Sequence, residues 1–283
     1  MNVKKMFVMA AIALLAIPSF AQEPQLVPRQ EAPQEEQPPQ GPRPRMMMPP
    51  SSPQNALQFS FGGPNRSVID RIMYTGYAEA NTHVTETDAL FIGDSITQNW
   101  YTFHHDFFDN NGFIARGIGG QTSVSVLCRF RQDVIKNNPK LVLIMIGTND
   151  VAQNDGIISD EIFLDNVASM CDMAKANGIK VLLCSIPPCD TLSWNQDVTP
   201  ATDIPRINGK LQEYAAAEGI QYVDYFSILD NGQGGMKDEY TSDRCHPTPL
   251  GYTLMEQVAV AEIKKALNTD KEYFVTPEQT DTP

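Results

Sequence analysis

Ala89-Leu-Phe-Ile-Gly-Asp-Ser95 and Leu141-Val-Leu-Ile-Met-Ile-Gly-Thr-Asn-Asp150 share one design, an unbroken apolar run that reaches a glycine and opens into polar turn residues. Runs that are continuously apolar, rather than alternating, read as strands buried on both faces, the condition of a parallel sheet. Phe113-Ile-Ala115 before a glycine cluster, Val181-Leu-Leu-Cys-Ser-Ile186 before Pro187-Pro188, and a weaker run from Ile220 to Val223 bring the number of strands to five.

The intervals read as helices. Ile162, Phe163, Asn166, Val167, Met170, Cys171 and Ala174 fall on one face at helical spacing. Ser159 is placed to cap that helix, Asp160 and Glu161 suit its positive end, and Gly178 can end it. Ile204, Ile207, Leu211 and Tyr214 mark another helix, with Pro205 expected in its first turn, where a missing N–H costs nothing. Leu254 to Leu267 carries a last apolar stripe, and residues 64–82 predict a further helix in front of the first strand. Strand and helix in regular alternation give an α/β fold, a three-layer α/β/α sandwich around a five-stranded parallel sheet. For a doubly wound sheet of order 2-1-3-4-5, the ligand crevice lies beyond the carboxyl ends of the strands.

Composition narrows the classes. The chain has 283 residues, is 42% hydrophobic and carries a formal charge of −13. That charge repels phosphate backbones, so nucleic acid is not expected as a partner. Five Cys in irregular positions are too few for a disulfide scaffold, and no Cys-x-x-Cys occurs. His104-His105 has no acid or Cys at ligand spacing and reads as helix surface; no metal site and no cofactor is expected. His83 reads as solvated, and Trp100 and Tyr101 as core.

The amino terminus reads as an address. Lys4 and Lys5 precede an apolar run from Met6 to Ile17, and Ser19 and Ala21 are small residues at the −3 and −1 positions of a signal-peptidase site. The run is short for a membrane span, which needs about 20 residues. No Cys stands near the cut, so no lipid anchor is expected, and the mature chain is expected outside the cytoplasm, secreted or periplasmic. Residues 22–54 hold ten Pro and seven Gln and almost nothing β-branched or aromatic, the composition of an extended tether. Met46-Met47-Met48 within it is either a docking spot or simply solvated. The expected organisation is a signal peptide over 1–21, the tether over 22–54, an extension packing on the domain over 55–87, the α/β/α sandwich over 88–270 and a tail over 271–283.

Four polar loops should meet at the carboxyl edge: Gly93-Asp94-Ser95, Gly117-Ile-Gly-Gly-Gln-Thr122, Gly147-Thr-Asn-Asp150 and Asp243-Arg-Cys-His-Pro247. A serine hydroxyl attacks an ester only when a base takes its proton, and imidazole suits that task. Ser95 is the candidate nucleophile and His246 the candidate base. Asp243, three residues earlier, is suited to orient the imidazole and stabilise its charged form. The backbone N–H of Ser95, that of Gly120 at a helix N-terminus and the side-chain N–H of Asn149 are candidate donors to an oxyanion.

This set resembles the SGNH (GDSL-type) esterase/lipase superfamily, whose blocks carry Ser, Gly, Asn and His in this order. Phe91-Ile-Gly-Asp-Ser-Ile96 is similar to the first block, with Ile96 in place of the usual Leu. Gly119-Gly-Gln-Thr122 resembles the second, with Gln121 where Asp is frequent. Gly147-Thr-Asn-Asp150 fits the third and Asp243-x-x-His246 the last. The resemblance covers about residues 88–268. It implies a flavodoxin-like fold, esters as substrates, and Ser95, Gly120, Asn149, Asp243 and His246 as functional residues.

A small ester or an acylated glycan, acetylated above all, is the expected substrate. A lipid-directed acylhydrolase of the same mechanism and a non-catalytic binding module on the same fold are the alternatives. The chain has no long apolar lid of the kind an interfacial lipase uses, and Trp194 lies in the loop after the fourth strand, either on the rim for sugar stacking or as a loop anchor. Cys128, Cys171 and Cys184 sit at apolar positions and read as small buried hydrophobes. Cys189 and Cys245 sit in loops leaving neighbouring strands at one edge, either bridged or as two free thiols.

Overall fold

The computed structural model describes residues 52–57 and 72–277. The expected signal peptide, residues 22–51 of the tether with Met46–Met48, residues 64–71 of the predicted helix, and residues 278–283 of the tail lie outside the described residues. Five strands, β1 (Ala89–Gly93), β2 (Ile114–Gly117), β3 (Leu141–Met145), β4 (Lys180–Cys184) and β5 (Gln221–Val223), form one parallel sheet in the order β2-β1-β3-β4-β5. Among the described residues the helices are α1 (Ala78–Thr82), α2 (Ser95–Phe103), α3 (His105–Asn111), α4 (Ser123–Asp133), α5 (Thr148–Val151), α6 (Asp160–Ala176), α7 (Pro200–Ala217), α8 (Tyr225–Leu229) and α9 (Pro249–Leu267). None of them is long and apolar enough to cross a membrane.

The strand residues divide by parity, as the pleat requires. Leu90, Ile92, Val142, Ile144, Val181 and Leu183 pack with Val126 and Phe130 of α4, Phe163, Val167 and Met170 of α6, and Ile204 and Leu211 of α7. Ala89, Phe91, Leu141, Leu143, Met145, Leu182 and Val223 pack on the opposite face with Trp100 of α2, Phe107 and Phe108 of α3, and Tyr252, Met255 and Ile263 of α9. Both faces are therefore dry, which is why the strands read as continuous apolar runs. The sandwich is the expected α/β/α fold.

Helix signals behave as their chemistry dictates. Ser159 Oγ accepts from the Ile162 N–H at 3.2 Å to start α6, and Thr248 Oγ accepts from the Gly251 N–H at 3.3 Å to start α9. Pro205 departs from expectation. Helix α7 starts at Pro200, so Pro205 lies in its second turn rather than its first. The polar turn Ala201-Thr-Asp203 hides that start from an apolar-periodicity reading. Gly234, at a φ of +83°, packs where the ladder is interrupted: a Cβ there would stand 2.5 Å from the Ala201 carbonyl oxygen.

The amino-terminal segment serves the edge strand β2, not the front of β1. Asn55 is buried; its Oδ1 accepts from the Ala115 N–H at 2.7 Å and its Nδ2 donates to the Phe113 carbonyl at 3.3 Å. Tyr77 Oη donates to the Gly117 carbonyl at 2.6 Å, and Asn81 of α1 donates to Asp133 of α4 at 2.9 Å. Arg116 of β2 is also drawn inward, its guanidinium 4.6 Å over the Tyr77 ring and bonded to the Gln54 carbonyl at 2.8 Å. An edge strand presents unpaired backbone groups that must be covered, and here side chains from outside the sheet cover them. Residues 52–54, read from sequence as tether, thus lie on the sandwich.

Two expectations about single residues are corrected. His104 is buried, not on a surface: its Nδ1 lies 2.6 Å from Glu256 Oε1, which also accepts from Trp100 Nε1 at 3.2 Å. Cys128 is exposed, whereas Cys171 and Cys184 are buried as expected. Trp100 and Tyr101 are core residues and His83 is exposed.

The crevice is braced by buried polar groups. Asp150 accepts from the Ser123 N–H at 2.9 Å and the Ser123 hydroxyl at 2.6 Å, joining α5 to the start of α4. Burial pushes its carboxyl up to about 7, with the charge of Asp94 adding and the Ser123 hydrogen bonds opposing. Asp94 is pushed up to about 6, again by burial, against the Ile96 N–H and the charge of Arg129.

Two expected outcomes follow from this packing. Asn55→Ala leaves the Ala115 and Phe113 backbone groups without their partner, and should lower unfolding free energy by about 1–3 kcal/mol, read as a shifted urea midpoint at unchanged m-value. A carboxyl whose folded pKa is raised stabilises the fold below its unfolded value, near 3.8, and that contribution is lost as pH rises toward about 7. Asp150→Asn cannot ionise. Its Tm relative to the parent chain should therefore climb between pH 4 and pH 7.5, and a flat difference across that window would contradict the assignment.

Candidate active site

Ser95 is the first residue of α2, set directly on the end of β1. Asp94 caps the helix, its Oδ1 accepting from the Ile96 N–H at 2.9 Å. The turn is tight because glycines allow it. A Cβ on Gly93 would stand 2.3 Å from the Met145 carbonyl oxygen, and one on Gly117 would stand 2.2 Å from the Gln98 backbone nitrogen.

Ser95 Oγ lies 2.9 Å from His246 Nε2. His246 Nδ1 lies 2.6 Å from Asp243 Oδ2, while Asp243 Oδ1 accepts from the backbone N–H groups of His246 at 2.8 Å and Cys245 at 3.0 Å. An ionised carboxylate only accepts, so Nδ1 carries the ring proton and Nε2 is left to accept from the serine hydroxyl. Burial works to raise the Asp243 carboxyl, but the hydrogen bonds from His246 and Cys245 outweigh it and hold the group below the usual carboxylate range. Hydroxyl, imidazole and carboxylate stand in series, an arrangement that can deprotonate an alcohol as it attacks an acyl carbon.

The loop bearing Asp243 and His246 is tied to the loop after β4. Arg244, in a left-handed backbone conformation at a φ of +69°, pairs with Asp190 through Nε at 2.8 Å and Nη2 at 2.6 Å. Cys189 and Cys245 are both buried and both free thiols, so of the two states open from sequence the unbridged one is present. The Cys245 thiol is pushed well up, by a hydrogen bond with Cys189 first and by burial second.

Asn149 stands in the first turn of α5, after Gly147 at a φ of +137°. Its Nδ2 donates to the Gln121 carbonyl at 3.1 Å and to Asp94 Oδ2 at 3.3 Å. Gly120 lies in an exposed turn before α4 at a φ of +78°, not at the helix N-terminus itself, where Thr122 holds the N-cap position. The backbone N–H groups of Ser95 and Gly120 donate to no other described residue. Among the described residues the crevice thus holds two backbone donors without an acceptor, and a carboxamide whose protons already have acceptors.

Trp194 is 47% exposed and its ring centroid lies 6.4 Å from that of His246, the planes inclined by 32°. Its Nε1 donates to Asn154 Oδ1 at 3.0 Å. The expected site residues therefore converge. Residues to which the sequence reading gave no role hold them there: Gln98, whose Oε1 accepts from the Gly119 N–H at 2.7 Å; Gln121 and Arg129, joined at 2.6 Å; and Asn154. Arg129 also donates to the Gly93 carbonyl at 2.9 Å and to Asp133 at 3.0 Å. A charged residue on the apolar face of α4, with an acid four positions on, was the one signal available for it.

Residues 91–254 match the model of the GDSL-like Lipase/Acylhydrolase family. A GDSL-like lipase from Bacteroides thetaiotaomicron is 39% identical and superposes with a TM-score of 0.67, over 69% of this chain and 98% of that one. Esterase TesA of Pseudomonas aeruginosa is 28% identical over 184 residues, 62% of this chain and 84% of that protein. The lipoprotein YqeF of Bacillus subtilis is 34% identical over 82 residues, 28% of this chain, so the match spans about a third (34%) of that relative's length. With its blocks in order on this sheet, the chain belongs to the GDSL-like lipase/acylhydrolase family.

Proposed function

We propose that this chain is an exported serine esterase that removes short acyl groups, acetyl above all, from carbohydrate hydroxyls. The observation that carries the reading is the series Ser95 Oγ to His246 Nε2 at 2.9 Å and His246 Nδ1 to Asp243 at 2.6 Å. Ser95 attacks the acyl carbon as its proton passes to His246, and Asp243 steadies the imidazolium. The negative oxygen that develops is met by the N–H groups of Ser95 and Gly120 and by Asn149 Nδ2, whose longer contact, 3.3 Å to Asp94, is the one an oxyanion displaces. The alcohol leaves with the proton from His246. Water, deprotonated by the same ring, then releases the acyl group from Ser95. Protein groups and water carry every step.

The half-exposed indole of Trp194 beside His246 supports a carbohydrate alcohol, because His246 delivers the proton to the departing oxygen and a sugar ring bound there meets a flat apolar face. Export rests on the leader pattern over residues 1–21, with the Pro-rich segment as tether, and it fits the likeness to a bacterial lipoprotein.

Ser95→Ala should lower turnover of p-nitrophenyl acetate by about 10⁴–10⁶ without loss of fold, and retention of a few per cent of activity would remove Ser95 from the nucleophile's role. Asn149→Ala should lower kcat by about 10²–10³ with little change in KM, since the oxyanion exists only in the transition state. Trp194→Ala should raise KM for an acetylated oligosaccharide by about tenfold, the worth of one aromatic contact, while KM for p-nitrophenyl acetate stays within about twofold. A preference for acyl chains of eight carbons or more would instead select the lipid-directed reading.

A further inference from the structure

Asn154 is one residue beyond the proposed machinery, yet its side chain touches three parts of it. Its Nδ2 donates to Asn149 Oδ1 at 2.8 Å and to the Gly120 carbonyl at 3.1 Å, and its Oδ1 accepts from Trp194 Nε1 at 3.0 Å. Its backbone N–H donates to the Asn149 carbonyl at 3.0 Å, so main chain fixes where the side chain starts. Every polar atom of the amide is thereby used, and in one orientation only. The Gly120 carbonyl only accepts and so requires the NH₂ end, the Trp194 indole N–H only donates and so requires the oxygen, and the remaining amide proton goes to Asn149 Oδ1.

We propose that Asn154 is a positioning residue for ester hydrolysis: it sets which end of the Asn149 carboxamide faces the reacting ester, and it joins that choice to Trp194 on the rim. The proposal rests on the esterase reading given above. A carboxamide can rotate by half a turn about its last bond at little steric cost, exchanging donor for acceptor. In one orientation Asn149 offers N–H to the developing oxyanion; in the other it offers a carbonyl oxygen, which repels it. Asn149 is buried, so an unmet Oδ1 would be costly, and the NH₂ group of Asn154 is the donor that meets it. The same NH₂ group holds the Gly120 carbonyl, and with it the turn that carries the Gly120 N–H. Trp194 completes the arrangement by holding the oxygen end of Asn154 outward, toward the side on which the alcohol binds.

The test is steady-state kinetics on p-nitrophenyl acetate with Asn154→Ala, Asn154→Asp, Trp194→Phe and the double variant Asn154→Ala/Trp194→Phe, each with its Tm. Asn154→Ala should lower kcat by about ten- to a hundredfold, a part of the loss expected for deleting an oxyanion donor outright, with KM within about twofold. Asn154→Asp should be the more damaging change, although it is nearly isosteric. Its carboxylate attracts the NH₂ end of Asn149 and turns the oxygen toward the ester. A residue that merely supported the fold would not give this order, nor confine the loss to kcat. Trp194→Phe should lower kcat by a few-fold, and the double variant should lose no more than Asn154→Ala alone, because both act through one amide.

Values of kcat within about twofold of the parent chain for both Asn154 variants, an Asn154→Asp enzyme more active than Asn154→Ala, or full additivity in the double variant would each overturn the proposal. Ser95→Ala, measured alongside, separates the two levels. If it is inactive while the Asn154 variants behave like the parent, only the positioning role falls. If it retains turnover, the reading of the site falls and the positioning role with it.

Discussion

Helix α2 follows β1 with a single residue between them, and the rest of the crevice depends on that junction. Gly93 belongs to the strand, Asp94 caps, and Ser95 is already helical. The geometry closes only because Gly93 and Gly117 have no side chains where the Met145 carbonyl and the backbone at Gln98 pass. The hydroxyl of Ser95 is thus delivered to the carboxyl edge of the sheet, on a rigid element, at the point where the strand order turns back on itself. Tyr252 of α9 seals the far side with a hydrogen bond to the Ile96 carbonyl at 2.8 Å. That contact brings the helix following the His246 loop against the helix carrying Ser95.

Around this junction the protein spends buried polarity where most of its interior is apolar. Asp94, Arg129, Gln121, Asp150 and Asn149 are all buried, and each is hydrogen-bonded to a neighbouring loop. Unpaired, any of them would cost several kcal/mol; paired, they specify one arrangement of four loops that apolar contacts alone would leave adjustable. The raised carboxyls of Asp94 and Asp150 record what that rigidity costs in desolvation.

The same logic separates the two ends of the proposed machinery. Asp243 and His246 sit in a half-open loop held by the Arg244–Asp190 ion pair, which is exposed and so contributes register more than stability. The oxyanion side is braced from within, through Asn149 to Gln121 and outward to Asn154. Trp194 touches both ends, its ring beside His246 and its indole N–H on Asn154.

Much of this was legible in the chain itself. Continuous apolar runs determined the five strands, and turn residues at their ends determined which loops carry Ser95, Gly120, Asn149, Asp243 and His246. These are properties of neighbours along the chain: pleat, helical period, capping, and the three-residue spacing that lets Asp243 reach its own His246. The tertiary structure alone decided what pairs across long separations. Nothing at residue 55 announces that it will cover a strand sixty positions on, nor does Arg129 announce the Gly93 carbonyl. His104 looks like a surface residue until Glu256, 152 positions later, meets it in the core. Cys128 looks buried until the turn of its helix faces it outward. Asn154 carries no motif at all, because its role lies in an amide orientation that exists only once Asn149, Gly120 and Trp194 have been folded around it.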